Sequence, residues 1–219
     1  MIEKIQDQLL NGLGIDLELA YYNRNIVFQL RAIQPKITEQ TPRMLREYFN
    51  YMLDNSKRNT ILYLSRVYDK PNDSKTRCLE KLINQLESSK KSKAPQVIAD
   101  FLWDNFKKQH AKAIKHIGGK DLKSDDFLAK VKCYITATRE SNGSPLFLVK
   151  TWRDKFIAHN DSDKDDPFLK DEQIEELLVI AEAAMFYISN FLGTGAAFQL
   201  KKPEGEFLKE IFVALDTKK

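Results

Sequence analysis

Glycine and proline are scarce, with eight and seven among 219 residues. So few turn formers exclude a turn-rich barrel and a collagen-like chain. Cysteine is scarcer still. Cys78 and Cys133 lie far apart, in no C-x-x-C pair, which leaves no thiolate zinc site and no redox motif to read. Both thiols are expected to be reduced and buried. No window holds the ~18–20 apolar residues that a membrane span needs. Glu3, Lys4 and Asp7 stand where a signal peptide would carry its apolar run. The expectation is a cytoplasmic protein that makes no membrane contact.

What is present points to a folded chain. Hydrophobic residues make up 42 % and charged residues 30 %, enough for a sizeable core and too apolar for wholesale disorder. The net charge of +4 is too mild to declare a nucleic-acid protein by itself. Its distribution is uneven. Ser88 to Lys123 sets nine lysines against three aspartates, and Asn160 to Glu182 sets nine acids against two lysines. Such runs are most simply solvated faces.

Apolar residues recur at helical spacing nearly throughout, so an all-α fold of about seven or eight helices is expected. Leu17, Tyr21 and Phe28, with Leu19, Ala20, Val27 and Leu30, give one broad stripe. Thr41-Pro42 reads as a helix start, with Thr as N-cap and Pro in the first helical position. The polar patch Asp54 to Thr60 either interrupts that helix or marks its exposed part, and Lys70-Pro71 ends it. Cys78, Leu79, Leu82, Ile83 and Leu86 form a short amphipathic helix, with a turn at Ser88 to Lys93. A long helix from about Ala94, buried through Ile98, Phe101, Leu102, Phe106 and Ile114, should stop at Gly118-Gly119. Ser124-Asp125-Asp126 opens the next helix, and Ser141 to Pro145 is a break. A helix from Leu146 to about His159 should pair antiparallel with the strongest pattern in the chain, Asp171 to Leu192. Strand-like alternation is limited to runs such as Phe147 to Val149 and Ile211 to Val213.

Several stretches imitate chemical sites. His110 and His116 are six apart, not the three or four that stack two imidazoles on one helix face for a metal. They read as solvated histidines. Asp161-x-Asp163-x-Asp165, with Glu172 at the twelfth position, imitates a calcium loop. Asp166, however, takes the position that needs Gly, and Leu169 takes a ligand position. No metal or cofactor is expected. The serines lie in no hydrolase motif, and no G-x-x-x-x-G-K phosphate loop exists.

One stretch remains, Trp152-Arg153-Asp154-Lys155-Phe156-Ile157-Ala158-His159-Asn160-Asp161. With Phe156 at the centre of a helix face and steps of ~100°, Trp152 and Val149 fall close to it, and Arg153 and His159 lie ~60° to either side. Asp154 points almost directly away. Arg153 and His159 thus flank an apolar stripe. An Arg and a C-terminal His satisfied at the edge of the core would produce the same pattern.

The wording R-D-K-F-I-A-H-N-D resembles the R-[ND]-K-x-x-A-H-x-D form of the R-x(4–6)-H signature in the HEPN superfamily, in the branch of the abortive-infection AbiU type. That branch also carries an upstream helix ending like Ile61-Leu62-Tyr63-Leu64-Ser65-Arg66-Val67-Tyr68-Asp69, followed by a short Leu-rich helix, here Leu79 to Leu86. The resemblance covers roughly Leu45 to Leu192. It implies a HEPN-like helical bundle spanning 1–219 as a single domain, with an N-terminal extension (about 1–40) and a C-terminal one (about 196–219).

Active members of the superfamily are metal-independent endoribonucleases whose Arg and His converge from two protomers at a dimer cleft. Carried over, Arg153 is the motif Arg, Asp154 the polar residue after it, His159 the motif His and Asp161 the closing acid. Imidazole can move protons near neutral pH, and Arg offers a permanent charge in a planar fork that fits phosphate oxygens. One His per chain cannot comfortably serve as both base and acid, and a two-fold homodimer supplies two. Six residues separate the pair by ~9 Å along the helix, which suits a site completed by the partner. Where some HEPN toxins have a Tyr used as a modification site, this chain has Asp161. The resemblance therefore implies RNA as substrate, and an antitoxin or defence-system protein as partner. It leaves open a non-catalytic HEPN-like scaffold that binds RNA or a protein.

Overall fold

The computed structural model describes residues 2–72, 76–90, 100–156 and 169–191. Among them every regular element is helical and there is no strand. The elements are α1 (Ile2–Gln8), a π-helical turn (Leu9–Leu13), α2 (Gly14–Ile33), α3 (Arg43–Val67), α4 (Leu79–Lys90), α5 (Asp100–Gln109), α6 (Ala111–Ile117), α7 (Phe127–Glu140), α8 (Pro145–Phe156) and α9 (Asp171–Phe191). Because α1, the π turn and α2 run on without leaving helical backbone angles, the described chain forms eight helical rods. No described helix is long and apolar enough to cross a membrane.

The π turn has a cause in the sequence. Ile5, Leu9, Leu13 and Leu17 recur every four residues and are all fully buried. In a regular α-helix that spacing drifts ~40° per step. The wider turn takes up part of the drift and keeps all four side chains on the core.

The main core is built around α9, which touches α2, α3, α6, α7 and α8. Ile174, Leu177, Leu178, Ile180, Ala181, Ala184, Met185 and Ile188 are buried around most of its girth. Its carboxylates escape at the edges: Glu182 accepts from Tyr21 Oη at 2.6 Å, Glu176 from Tyr134 Oη at 2.5 Å, and Glu175 pairs with Lys112 at 3.1 Å. At one end Trp103, Phe106, Phe127 and Tyr187 interlock, with ring centroids 4.9–6.2 Å apart. A second, smaller core of Ile26, Val27, Leu30, Ile33, Phe49 and Leu53 joins the distal halves of α2 and α3.

Local structure departs from the sequence reading at several points. Thr41 is not the N-cap of α3. Pro42 takes that position, and the Thr41 hydroxyl accepts from Thr38 N at 3.1 Å. The patch Asp54 to Thr60 neither breaks α3 nor is wholly exposed, since Ser56 and Thr60 are buried, with Thr60 Oγ1 donating to Ser56 O at 2.9 Å. Phe28 is 64 % exposed rather than part of the stripe. Helix α4 continues through Ser88 and Ser89 to Lys90. The long helix is two: the backbone leaves the helical region at His110, and Trp103 is buried where Leu102 is exposed. Phe147 to Val149 is helical. Cys78 is buried but Cys133 is exposed, and both are free thiols.

Elsewhere the reading holds. Gly119 ends α6 with φ 71°, and its N–H donates to Ile114 O at 2.8 Å. A short 3-10 turn, Ser124–Asp126, opens α7, whose Phe127, Val131 and Ile135 are buried. Gly143, at φ 78°, turns the chain into Pro145, the first residue of α8. Helix α8 does touch α9, but it packs more extensively on α3 and α7.

Candidate active site

The packing of α8 on α3 brings the two motif segments together. Val149 and Trp152 are buried, and this apolar face seats α8 so that Arg153 emerges at the C-terminal end of α3. Arg153 Nη1 donates to Asp69 Oδ1 at 2.9 Å, across 84 residues of sequence. Asp154, expected to point away, instead turns its carboxylate back: Arg153 Nε donates to Asp154 Oδ1 at 3.0 Å, and Nη2 lies 3.0 Å from the same oxygen. Burial draws the Arg153 pKa down, but hydrogen bonds and charge from Asp69 and Asp154 more than offset this and hold it above its ordinary value. The group is a fixed cation. A guanidinium carries five N–H donors, and among the described residues these three contacts leave two of them for a ligand.

Arg153 sits on the rim of a cleft of about 130 Å³ between α3 and α8, whose lining also includes Ser65, Tyr68, Asp69, Lys70, Arg139 and Lys150. Arg139, from α7, pairs with Glu80 at 2.7 Å and donates to the carbonyls of Tyr68 and Asp69 at 3.2 and 3.4 Å. It thereby satisfies carbonyls that the end of a helix leaves without partners, and it fixes the backbone that presents Asp69. Tyr68 is buried and its Oη donates to Leu177 O at 2.6 Å, tying the same turn to α9. Burial, with the Glu176 charge, keeps its phenol neutral far above the usual range. Lys70 and Lys150 are exposed and have no ion pair among the described residues. The cleft therefore offers uncompensated positive charge beside an anchored arginine, a setting suited to phosphate oxygens.

Of the expected site residues, Arg153 and Asp154 are brought together here. His159 and Asp161 lie outside the described residues, as do Asp163, Asp165 and Asp166 of the run that imitates a calcium loop and the close of the last helix at Gly193, whereas Glu172, the run's twelfth position, is in the first turn of α9. Of the two other histidines, His116 is exposed and lies 3.6 Å from Glu176. His110 is half-buried rather than solvated, its ring 4.7 Å from that of Phe106 and 5.1 Å from that of Phe186. No cluster of metal-ligating side chains occurs among the described residues. Sequence reasoning missed the roles of Asp69, Arg139, Lys70 and Lys150. Only Asp69 had left a signal, as the last residue of the upstream motif.

The family described as AbiU2, of the HEPN class, matches residues 2–207. The chain belongs to that family. No curated protein and no solved structure matches it.

Proposed function

We propose that this member of the AbiU2 family of HEPN proteins is a metal-independent endoribonuclease of a phage-defence (abortive-infection) or toxin–antitoxin system. In this reading it acts in the cytoplasm as a two-fold homodimer, alongside an antitoxin or defence-system partner. The observation that supports it best is the anchoring of Arg153 by Asp69 and Asp154 on the rim of a cationic cleft.

The reaction is attack of an RNA 2′-hydroxyl on the adjacent phosphorus. The O2′–P bond forms, the P–O5′ bond breaks, a base takes the 2′ proton and an acid gives one to the 5′-oxygen. His159 moves these protons, one imidazole from each protomer, since imidazole exchanges protons near neutral pH. Arg153 places permanent charge on the equatorial phosphate oxygens, where charge grows in the transition state. Asp69 and Asp154 position that guanidinium, and Asp161 supports the motif beyond His159. Charge and proton transfer both come from side chains, so no metal has a step to perform.

One observation favours the alternative, a non-catalytic scaffold that binds RNA or a protein. Arg153 already satisfies two carboxylates, as a purely structural arginine would. Incubating the purified full-length chain with total RNA in EDTA separates the readings. The nuclease reading expects cleavage with 2′,3′-cyclic phosphate ends, lost in His159→Ala. Intact RNA, or equal cleavage by wild type and variant, would transfer the case to the scaffold.

A further inference from the structure

Helix α3 buries one face through Phe49, Leu53, Ser56, Thr60, Leu64 and Val67. The opposite face of its first half is unlike a solvated surface. Met44, Tyr48 and Tyr51 are 80 %, 59 % and 65 % exposed, and Arg58 follows two turns after Tyr51 and is also exposed. Met44, Tyr51, Arg58 and Ser65 are spaced by seven, so they fall along one line that drifts only ~20° per step. The exposed part of the line ends at Arg58; Ser65, one step further, is buried in the wall of the Arg153 cleft, with its hydroxyl donating to Leu62 O at 2.7 Å. From Met44 to Ser65 the line spans ~31 Å.

Charge on this stretch is not neutral once its ion pairs are removed. Arg43 pairs with Glu47 at 2.7 Å and Lys57 with Asp54 at 3.9 Å. Arg58 has no ion pair among the described residues, and Lys70 and Lys150 continue the positive charge at the cleft. Exposed rings interleaved with unpaired cations suit unstacked bases joined by phosphates. A partner helix would ask instead for a stripe of branched aliphatic residues, and this face has none exposed.

We propose that the outward face of α3 is a track for single-stranded RNA leading to the Arg153 cleft, with Tyr48 and Tyr51 stacking on bases and Arg58 meeting a backbone phosphate. The proposal rests on the ribonuclease reading and narrows its substrate to unpaired RNA. Every base has a π face, so the track tolerates sequence while excluding a duplex, whose bases are already stacked.

The test uses the full-length chain and a fluorescent 2′-O-methyl oligouridine of about twelve nucleotides, within the range of single-strand site sizes. This probe has no 2′-hydroxyl to attack, so binding is measured apart from cleavage. Wild type should bind it and should bind a duplex of equal length less well. Tyr48→Ala/Tyr51→Ala should weaken binding by roughly tenfold or more, and Tyr48→Phe/Tyr51→Phe should restore it. Arg58→Ala should lower the slope of log affinity against log salt by about 0.7. Because these side chains are exposed, circular dichroism should not change. Absence of wild-type binding, or equal affinity in the double Ala variant, overturns the track while the EDTA cleavage result stands. A double Ala variant that changes the molar mass by light scattering also overturns it, and assigns the face to a second copy of the chain.

Discussion

The Arg153 guanidinium lies 2.9 Å from the Asp69 carboxylate, so the last residue of one motif holds the first charged residue of the other. Both partners are partly open to water, so the pair contributes no more than about 1 kcal/mol to stability. Asp69→Asn should leave the unfolding midpoint nearly unchanged and lower RNA cleavage tenfold or more, because a mispositioned Arg loses its aim at the phosphate. Thermal unfolding and a cleavage assay on the same sample check both halves.

Arg153→Ala and His159→Ala should each reduce cleavage by roughly 10²–10⁴-fold or beyond while the chain stays folded. Arg153→Lys should fail as well, since an ammonium cannot reproduce the fork between Asp69 and Asp154. If the two protomers share each site, mixing the two Ala variants should recover part of the activity. A mixture as inactive as its components would argue for two self-contained sites.

Arg139 should matter more to stability than Arg153. Its pair with Glu80 is 15 % exposed on both sides, and it also holds the Tyr68 and Asp69 carbonyls. Arg139→Ala leaves Glu80 and two carbonyls without partners and should cost about 2–5 kcal/mol. Arg139→Lys can keep the ion pair but not all three contacts, so it should fall between. Urea denaturation orders the three proteins.

Alkaline pH should unfold the protein through its tyrosines. Burial, reinforced by Glu182 for Tyr21 and by Glu176 for Tyr68 and Tyr134, raises all three phenols above their ordinary value. The unfolded chain loses these protons near pH 10 while the folded chain keeps them. Stability is therefore fully present below about pH 10 and falls above it, by up to ~1.4 kcal/mol per pH unit for each phenol held neutral. The tyrosinate absorbance of these three phenols, taken as the difference between the wild type and its Tyr→Phe variants, should rise together with the loss of helical circular dichroism. Absorbance from these three phenols appearing well before unfolding would contradict the burial argument.

Helices α4 and α7, whose apolar residues fall on one clear face, were legible in the sequence, and so was α9, whose apolar repeat fills most of its girth. The break at His110 was not, because Phe106, Ala113 and Ile114 keep near-helical spacing across it and the pattern reads as one rod. Ser56 and Thr60 hid inside a polar patch: the Thr60 hydroxyl returns to its own backbone and can be buried without a distant partner. The site divides the same way. Arg153 was legible by its spacing from His159 and its place beside Val149 and Trp152. Its link to Asp69 joins residues 84 apart, and Arg139 arrives from a third helix; no local pattern encodes such a convergence.

The distal halves of α2 and α3 carry a core of their own, in which six side chains, from Ile26 to Leu53, are buried apart from the main cluster. So small a core protects its backbone amides less than the residues around α9 do, and it can open without melting the rest. In deuterated buffer the amides of residues 43–53 should exchange well before those of 174–188. That result would make the helix that bears Tyr48 and Tyr51 soft at its outer end and clamped at the end that leads into Asp69.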